Sequence, residues 1–452
     1  MVFDPLNLVG LAADSSVPAV VTREGSFDRT ELRGRAAAVA AELERIGAAG
    51  RRAIISLDAS PEFVAALAGA WLAGAEPVLL DPLVRGELRR AAEITEARVV
   101  IHGGGARLAD LPDGIEELVP GDGRRDPGFA PRLEESQPVV RLFTSGSTGK
   151  PTLVPKTRGN LETEIEFLAD LLGEPRRVAT MVPWCHIFGF TVSFLLALWR
   201  GGSCDLRAGI SLRTLLAIAV AGELDLVVAV PAIYRALVRA AESADETRVP
   251  SHCRFVTASA HLSADLRERF AELTGRSIVD IYGSTEAGGM AYRTQDGPWT
   301  AEPHVEWRIA DGAHLEVSSP SVSVVPAGGF FRVGDLARRS GDGFELIGRE
   351  DDVVKIGGRR VSIGEVERTL ESCPGVEAQV VLRRRLRGEP RLVAVVAAKS
   401  DGLDGEEVKA FVRSRLADHK VPRVVRVLDS LPIGPGGKVD RRAVGRMLDE
   451  EV

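Results

Sequence analysis

The sequence predicts an α/β fold in two domains, and three patterns predict it. Between Thr30 and Ile281, short apolar runs alternate with amphipathic helical runs, the βα rhythm of parallel-type sheets. After Glu286 the chain turns to short strands between Gly and Pro turns, a small β-rich subdomain at about 287–348. Residues 349–452 then follow an α+β pattern, which sets a smaller C-terminal domain behind a large N-terminal domain at 1–348. A chain of 452 residues is long enough for two or three cores.

In order, Thr30–Ile46 reads as an amphipathic helix capped by Thr30, and Arg52–Leu57 as a strand. Pro61–Leu72 is a helix opened by proline at an early position, where a missing N–H costs nothing. Strand Glu76–Leu80, a helix near Glu87–Thr95 and strand Arg98–His102 follow. Gly103–Gly105 is a turn, since GxGxxG is absent, and Asp110–Gln137 reads as an exposed, Pro-, Gly- and charge-rich connector. The second βα series places helices near Leu161–Leu172, Phe190–Trp199, Leu212–Ala221, Ala232–Ala241 and Ala264–Thr274. Its strands lie near Val178–Val182, Leu226–Val230, Phe255–Ala258 and Ile278–Tyr282. Strands at His304–Ile309, Leu315–Ser318 and Phe330–Leu336 form the β-rich part. The C-terminal domain has helices near Gly364–Glu371, Gly405–Leu416 and Asp440–Leu448, with strands at Gln379–Arg384 and Arg391–Ala398.

Bulk properties narrow the function. A formal charge of −7 gives no electrostatic case for nucleic acid. Cys185, Cys204, Cys253 and Cys373 are dispersed without CxxC spacing, which suits reduced thiols in a cytosol. The N-terminal stretch has no basic region and carries Asp4, so it does not read as a signal peptide. The longest apolar run, Ile187–Trp199, is too short to span a bilayer. The expectation is a cytoplasmic protein with no membrane span. Lysine occurs only as Lys150, Lys156, Lys355, Lys399, Lys409, Lys420 and Lys438, with arginine at every other cationic position. Lysine is a compact charge on a flexible stem, so the positions it keeps point to chemistry that arginine cannot supply.

The apolar run Val139–Phe143 breaks into Thr144, Ser145, Gly146, Ser147, Thr148, Gly149 and Lys150. Small residues let main-chain N–H groups approach an anion, hydroxyls add donors and Lys150 adds charge, a combination that suits a polyphosphate. It is not a Walker A loop, which would need Gly at Thr144 and a hydroxyl at Pro151. Taken alone, the stretch is also compatible with a Gly/Ser surface turn.

Three further stretches follow it: YGSTE at Tyr282–Glu286, GDL with GREDDVVKIGGRRV at Gly334–Leu336 and Gly348–Val361, and LPIGPGGKVDRR at Leu431–Arg442. In order and spacing, the four resemble the adenylate-forming superfamily of acyl- and aryl-CoA ligases, carrier-protein adenylation domains and luciferases. The resemblance runs from about residue 25 to the C-terminus. It implies that ATP and Mg²⁺ are used to join a small carboxylic acid to AMP, with release of pyrophosphate. The acyl group then passes to a phosphopantetheine thiol of CoA or of an acyl carrier protein.

The resemblance also implies roles. Thr144, Ser145, Ser147, Thr148 and Lys150 cradle the β- and γ-phosphates; Lys156 is a second candidate, because Thr152 replaces the usual lysine after Pro151. Glu286 is similar to the magnesium carboxylate, and Thr285 donates to the α-phosphate. Tyr282, with Gly283, offers a face to adenine and Ser284 a polar contact. Asp335 accepts from the ribose hydroxyls, with Arg349 as partner. Lys438, in a Gly-rich loop, bridges carboxylate and α-phosphate. Asp351 maps to the hinge of a mobile C-terminal domain, and Lys355, Gly357 and Gly358 to the wall of the thiol tunnel.

VPWCHIFGF at Val182–Phe190 resembles the P-x-x-H-x-x-G stretch of acyl- and aryl-CoA ligases, which places His186 near the carboxylate or thiol entry. No acidic residue lies between Met181 and Arg200, and an unpaired ammonium in an apolar pocket is costly, so an α-amino acid is disfavoured. Trp184, Phe188, Gly189, Tyr234 and Ser259 are the expected acid-pocket residues; Ser259 lies in TASAHL, where relatives often have Gly-Ala-Pro. The Gly348–Arg349 pair and the GSTEAGG–MAYR–W pattern resemble compact ligases of aryl-polyene pigment pathways, which implies an aryl or related acid. Arg383–Arg387 reads as a solvated hairpin edge, or as a contact for CoA phosphates or an acidic carrier protein. Two other readings stand beside this one: adenylation of a nitrogen oxyanion or toward an amide-forming acceptor, and a non-catalytic nucleotide-binding regulator.

Overall fold

The computed structural model describes residues 2–3, 5–7, 9–11, 16–82, 88–104, 111–123, 133–134, 136–144, 152–209, 211–324, 328–350, 352–356, 359–386, 388–398, 402–432 and 439–449. The chain divides into two compact units, one of 1–296, 301–306 and 318–331, the other of 297–300, 307–317 and 332–452.

The first unit is built on two sheets. One runs in the order Thr152–Thr157, Pro138–Thr144, Glu76–Leu79, Arg52–Ser56, Val99–His102, Glu116–Leu118. It is parallel except for its antiparallel Thr152–Thr157 edge. The other runs through Gly288–Arg293, Ile278–Ser284, Arg254–Thr257, Leu226–Val228, Arg177–Thr180, Ser203–Asp205, Val20–Val21 and Ser26–Phe27. Its interior pairings are parallel, as the βα rhythm predicts. Inward residues of both sheets, among them Ile55, Val140, Val178 and Val256, share one core with the helices Pro61–Leu72 and Arg158–Leu172.

Helix Pro61–Leu72 is buried on almost every side, and two details fix it. At Gly69, a Cβ would lie 2.7 Å from the Val39 side chain of helix Arg29–Ile46, so only glycine allows these helices to meet. The Trp71 indole N–H donates to Val139 O at 2.7 Å and ties the helix to the strand that leads into Ser145–Lys150. That first helix starts at Arg29 rather than Thr30, because the Asp28 carboxylate accepts the Glu31 N–H and supplies the cap expected of Thr30.

Two more expectations change in this unit. The connector Asp110–Gln137 carries a strand, Glu116–Leu118, that pairs in parallel with Val99–Ile101. Its charged residues suit an edge position, which hid it from an apolar pattern. The helix expected at Phe190–Trp199 is π-helical over Gly189–Leu195 and α-helical only over Leu196–Trp199.

The second unit holds an antiparallel sheet of Glu306–Ala310, His314–Ser318, Phe331–Ser340 and Gly343–Arg349. A hairpin, Val353–Ile356 with Arg359–Ser362, follows it. A three-stranded sheet, Val376–Leu386, Glu389–Ala398 and Val424–Leu428, is packed with helices Ile363–Glu371, Gly405–Arg413 and Arg441–Asp449. Strand Val424–Leu428 and the Val353–Ser362 hairpin were not read from sequence. Among the described residues, no helix is long and apolar enough to cross a membrane.

Replacing Trp71 by Phe keeps the ring but leaves buried Val139 O without its donor. Chemical denaturation is expected to show a loss of about 1–3 kcal/mol.

Candidate functional site

The YGSTE stretch forms the end of strand Ile278–Ser284 and the tight turn back into Gly288–Arg293. Gly283 faces Gly289 and Ser284 faces Gly288, with a register shift after Tyr282. A Cβ at Gly283 would lie 2.5 Å from Gly288 O, so this position must be glycine for the strands to close. The Ser284 hydroxyl accepts the Ala287 N–H at 3.1 Å, which tightens the turn and orients Thr285 and Glu286, both half-buried. Tyr282 is half-buried opposite Ala291.

Glu286 O is held from two sides, accepting the Ser323 N–H at 2.9 Å and Lys156 Nζ at 3.4 Å. Lys156 lies on strand Thr152–Thr157, which pairs with Pro138–Thr144. The strand that returns from the phosphate-loop stretch therefore touches the Thr285–Glu286 turn. Thr144 ends the leading strand, its Oγ1 3.5 Å from Thr152 O. Ser145, Gly146, Ser147, Thr148, Gly149 and Lys150 lie outside the described residues.

Lys156 corrects an expectation. It is 0 % exposed, and Nζ also donates to Ser321 O at 3.0 Å, so it points under the hairpin and is not a phosphate ligand. Burial lowers its pKa to about 8, against the pull of the Glu164 and Glu286 carboxylates. Glu164 and Glu302 are buried in the same region. Burial raises both carboxyls; Lys156 opposes the rise at Glu164, whereas Glu164 adds to it at Glu302.

His186 sits in a turn closed by its own N–H to Pro183 O at 3.3 Å. Its Nε2 lies 3.4 Å from Asp81 Oδ2, at the end of the first sheet's central strands. Ligand atoms of Asp81, Cys185 and His186 lie within 4.8 Å of one another. Burial, with Asp81 next in effect, raises the Cys185 thiol pKa, and this mixed S, N and O set is not one that suits Mg²⁺. Glu286 fits Mg²⁺ better: it offers one hard carboxylate at a half-exposed turn, and Mg²⁺ takes few protein ligands beside phosphate oxygens and waters.

The expected acid-pocket residues are dispersed. Trp184 is buried against Phe63 and Phe194, with ring centroids 5.3 and 4.7 Å away. Phe188 is buried beside the same core. Tyr234 is corrected to a core residue: it is 0 % exposed, packs on Phe255 and Phe270, and its hydroxyl donates to Val256 O at 2.9 Å. Ser259 is exposed and holds φ +74°, a left-handed conformation that favours glycine. Gly189 approaches so closely that a Cβ would lie 2.1 Å from Pro183 O.

In the second unit, Asp335 and Arg349 face each other across paired strands, Oδ1 to Nη1 3.5 Å apart. Gly334, at φ +87°, lets its carbonyl accept the Glu350 N–H at 2.9 Å. Lys355 lies on strand Val353–Ile356 opposite Arg360. Asp351, Gly357, Gly358 and Lys438 lie outside the described residues. Asp81, Glu164 and Glu302 were missed by sequence reading; a strand-end Asp followed by Pro was the available signal for Asp81.

Residues 12–329 match the AMP-binding enzyme family, and residues 365–438 match the AMP-binding enzyme C-terminal domain. The chain belongs to the AMP-binding enzyme family. It is 31% identical to the 4-coumarate–CoA ligase of Halorhodospira halophila over 317 residues, 68% of this chain and 74% of that one. It is 29% identical to the feruloyl-CoA synthase of an Amycolatopsis species over 342 residues, 68% of this chain and 69% of that one. The fold matches an O-succinylbenzoate coenzyme A synthetase from Bacillus subtilis, solved with ATP and magnesium ion, at a TM-score of 0.86 and 21% identity. That match covers 98% of this chain and 100% of the other.

Two substitutions should change stability in opposite directions. Gly189→Ala forces a side chain onto Pro183 O and should cost about 1–3 kcal/mol, whereas Ser259→Gly relieves a left-handed serine and should gain about 1 kcal/mol. Urea denaturation of both variants checks the pair.

Proposed function

We propose that this chain is an AMP-forming acid–thiol ligase. A carboxylate attacks the α-phosphorus of ATP, the bond to the β,γ-phosphates breaks, and pyrophosphate leaves. A phosphopantetheine thiol then attacks the acyl-adenylate carbonyl and AMP leaves. The observation that carries this reading is the contact between the strand returning from Ser145–Lys150 and the Thr285–Glu286 turn, through Lys156 Nζ and Glu286 O. It puts a polyphosphate-type loop and a carboxylate turn on one framework. The relatives favour CoA as the acceptor and a flat, unsaturated aromatic acid as the substrate, since two are named for feruloyl- and 4-coumarate-type chemistry. A carrier-protein thiol is the other acceptor the reaction accommodates.

Both reactants are anionic, so the site must neutralise charge and align the carboxylate. In this reading Thr144, Ser145, Ser147, Thr148 and Lys150 hold the β- and γ-phosphates, and Thr285 donates to the α-phosphate. Glu286 would hold Mg²⁺, which when bound offsets phosphate charge. Tyr282, Gly283 and Ser284 form the adenine side, and Asp335 with Arg349 the ribose side. His186, oriented by Asp81, stands near the carboxylate or thiol entry, with Trp184, Phe188 and Gly189 backing that turn.

We further propose that residues 349–452 move about Asp351. One arrangement presents Lys438 to the carboxylate and α-phosphate, and the other presents Lys355, Gly357 and Gly358 to the thiol path.

Glu286→Gln is expected to lower pyrophosphate exchange by about 10²–10³-fold with the fold intact. Near-normal exchange in the folded variant removes Glu286 from the chemistry. An acid panel in the same assay should show cinnamate- or benzoate-type acids above amino acids.

The half-reactions should also separate. Lys438→Ala should abolish most adenylation yet spare thioester formation from supplied acyl-adenylate, and Gly358→Trp should do the reverse. Equal impairment of both steps in both variants would reject the alternating arrangement.

A further inference from the structure

Lys156 and its buried surroundings are not explained by phosphate binding. Nζ donates to Ser321 O at 3.0 Å and to Glu286 O at 3.4 Å, with the side chain 0 % exposed. From helix Arg158–Leu172, Glu164 enters the same space; Thr191 Oγ1 lies 3.3 Å from its Oε1, and its Oε2 has no hydrogen-bond partner among the described residues. Glu302 comes from a third segment with neither carboxylate oxygen bonded among the described residues, and His304 Nε2 is 3.4 Å from its Oε2.

Both carboxyl groups press on the hairpin main chain. A Cβ at Gly288 would lie 2.8 Å from Glu164 Oε2, and a Cβ at Gly289 would lie 2.7 Å from Glu302 Oε1. Gly288 also holds φ +76°, so side chains are barred there on two counts. The buried acids and the lysine therefore surround the turn that carries Thr285 and Glu286. An ammonium taken fully out of water is costly unless paired and hydrogen-bonded. This one has two carbonyl acceptors and the attraction of nearby carboxylates.

We propose that Lys156, held by Glu164, is a positioning residue for adenylation: it props the main chain at Glu286 and so fixes the Thr285–Glu286 turn from beneath. The proposal rests on the reading of Glu286 given above. Arginine occupies nearly every other cationic position, and the narrow single-amine geometry explains the lysine retained here. The strut spans three segments: the return strand of the loop, the hairpin turn, and the Ser319–Ser323 stretch whose Ser323 N–H also reaches Glu286 O.

The test uses the full chain and four variants: Lys156→Met, Lys156→Arg, Glu164→Gln and Glu286→Gln. In Lys156→Met, amide hydrogen exchange across 284–289 should quicken at least tenfold without ATP or metal. The kcat/KM for MgATP should fall at least tenfold, while the KM for the acid stays within twofold. Lys156→Arg, which retains charge and donors, should recover most of the exchange protection. Glu164→Gln should move the same two readouts in the same direction by about three- to tenfold.

If Lys156→Met folds with unchanged protection at 284–289, the proposal fails. It also fails if MgATP and acid parameters decline together with a global loss of stability, since that pattern marks a merely structural residue. Should Lys156→Met not fold, Glu164→Gln decides: both readouts within twofold of wild type overturn the proposal. Glu286→Gln separates the two readings. Normal pyrophosphate exchange there rejects the role of Glu286, whereas its loss beside an unaffected Lys156→Met rejects only the strut.

Discussion

A turn that must meet a polyphosphate cannot be buried, yet it must not move. Here the constraint is met from below. The Tyr282–Glu286 hairpin keeps its tip partly exposed while Glu286 O is fixed by Ser323 and Lys156 on its inner side. Taking an ammonium and two carboxyl groups out of water is expensive, and the region accepts that cost where the main chain has least support of its own. Gly283, Gly288 and Gly289 are what allow the charged groups to come this close. The same glycines that permit the tight return would leave it slack without the groups packed on them.

The two sheets of the first unit divide the work. The first delivers the loop stretch from Pro138–Thr144, anchored to helix Pro61–Leu72 through Trp71 and to helix Arg29–Ile46 through the contact at Gly69. The second delivers the hairpin from Ile278–Ser284. Ligand chemistry gathers at strand ends of parallel sheets because side chains and loops there are released from ladder pairing. Asp81, at such an end in the first sheet, meets His186 from the other side of the core. Distant parts of the sequence thus converge without any one loop building the whole site.

The βα series was legible because parallel strands buried on both faces leave continuous apolar runs, as in Ile54–Ile55 and Val99–Ile101. Turn residues gave the Tyr282–Glu286 return equally well. Glu116–Leu118 was not legible, since a short charged edge strand has no apolar signature, and neither was Val424–Leu428, whose residues are only half-buried. Motif order located Glu286, Asp335 and Arg349, and the structure shows the last two as cross-strand neighbours. Composition singled out Lys156 but could not tell inward from outward: a strand residue beside a loop faces either way until its partners are known. Tyr234 shows the opposite limit. An aromatic residue near a motif is as well explained by packing, and its hydroxyl finds its acceptor on Val256.

The π-helical segment Gly189–Leu195 has a further consequence for how this part of the chain arose and how it tolerates change. A π turn holds one residue more than the α turn it interrupts, so it marks an insertion absorbed in place. Thr191, inside it, reaches Glu164, while His186 just before it reaches Asp81. Removing one residue from this segment would restore regular α-helix and rotate everything on one side by about 100°. The histidine turn and the Glu164 contact would then no longer be in phase. The segment works as a spacer whose length, more than the identity of its apolar residues, keeps two separate parts of the unit in register.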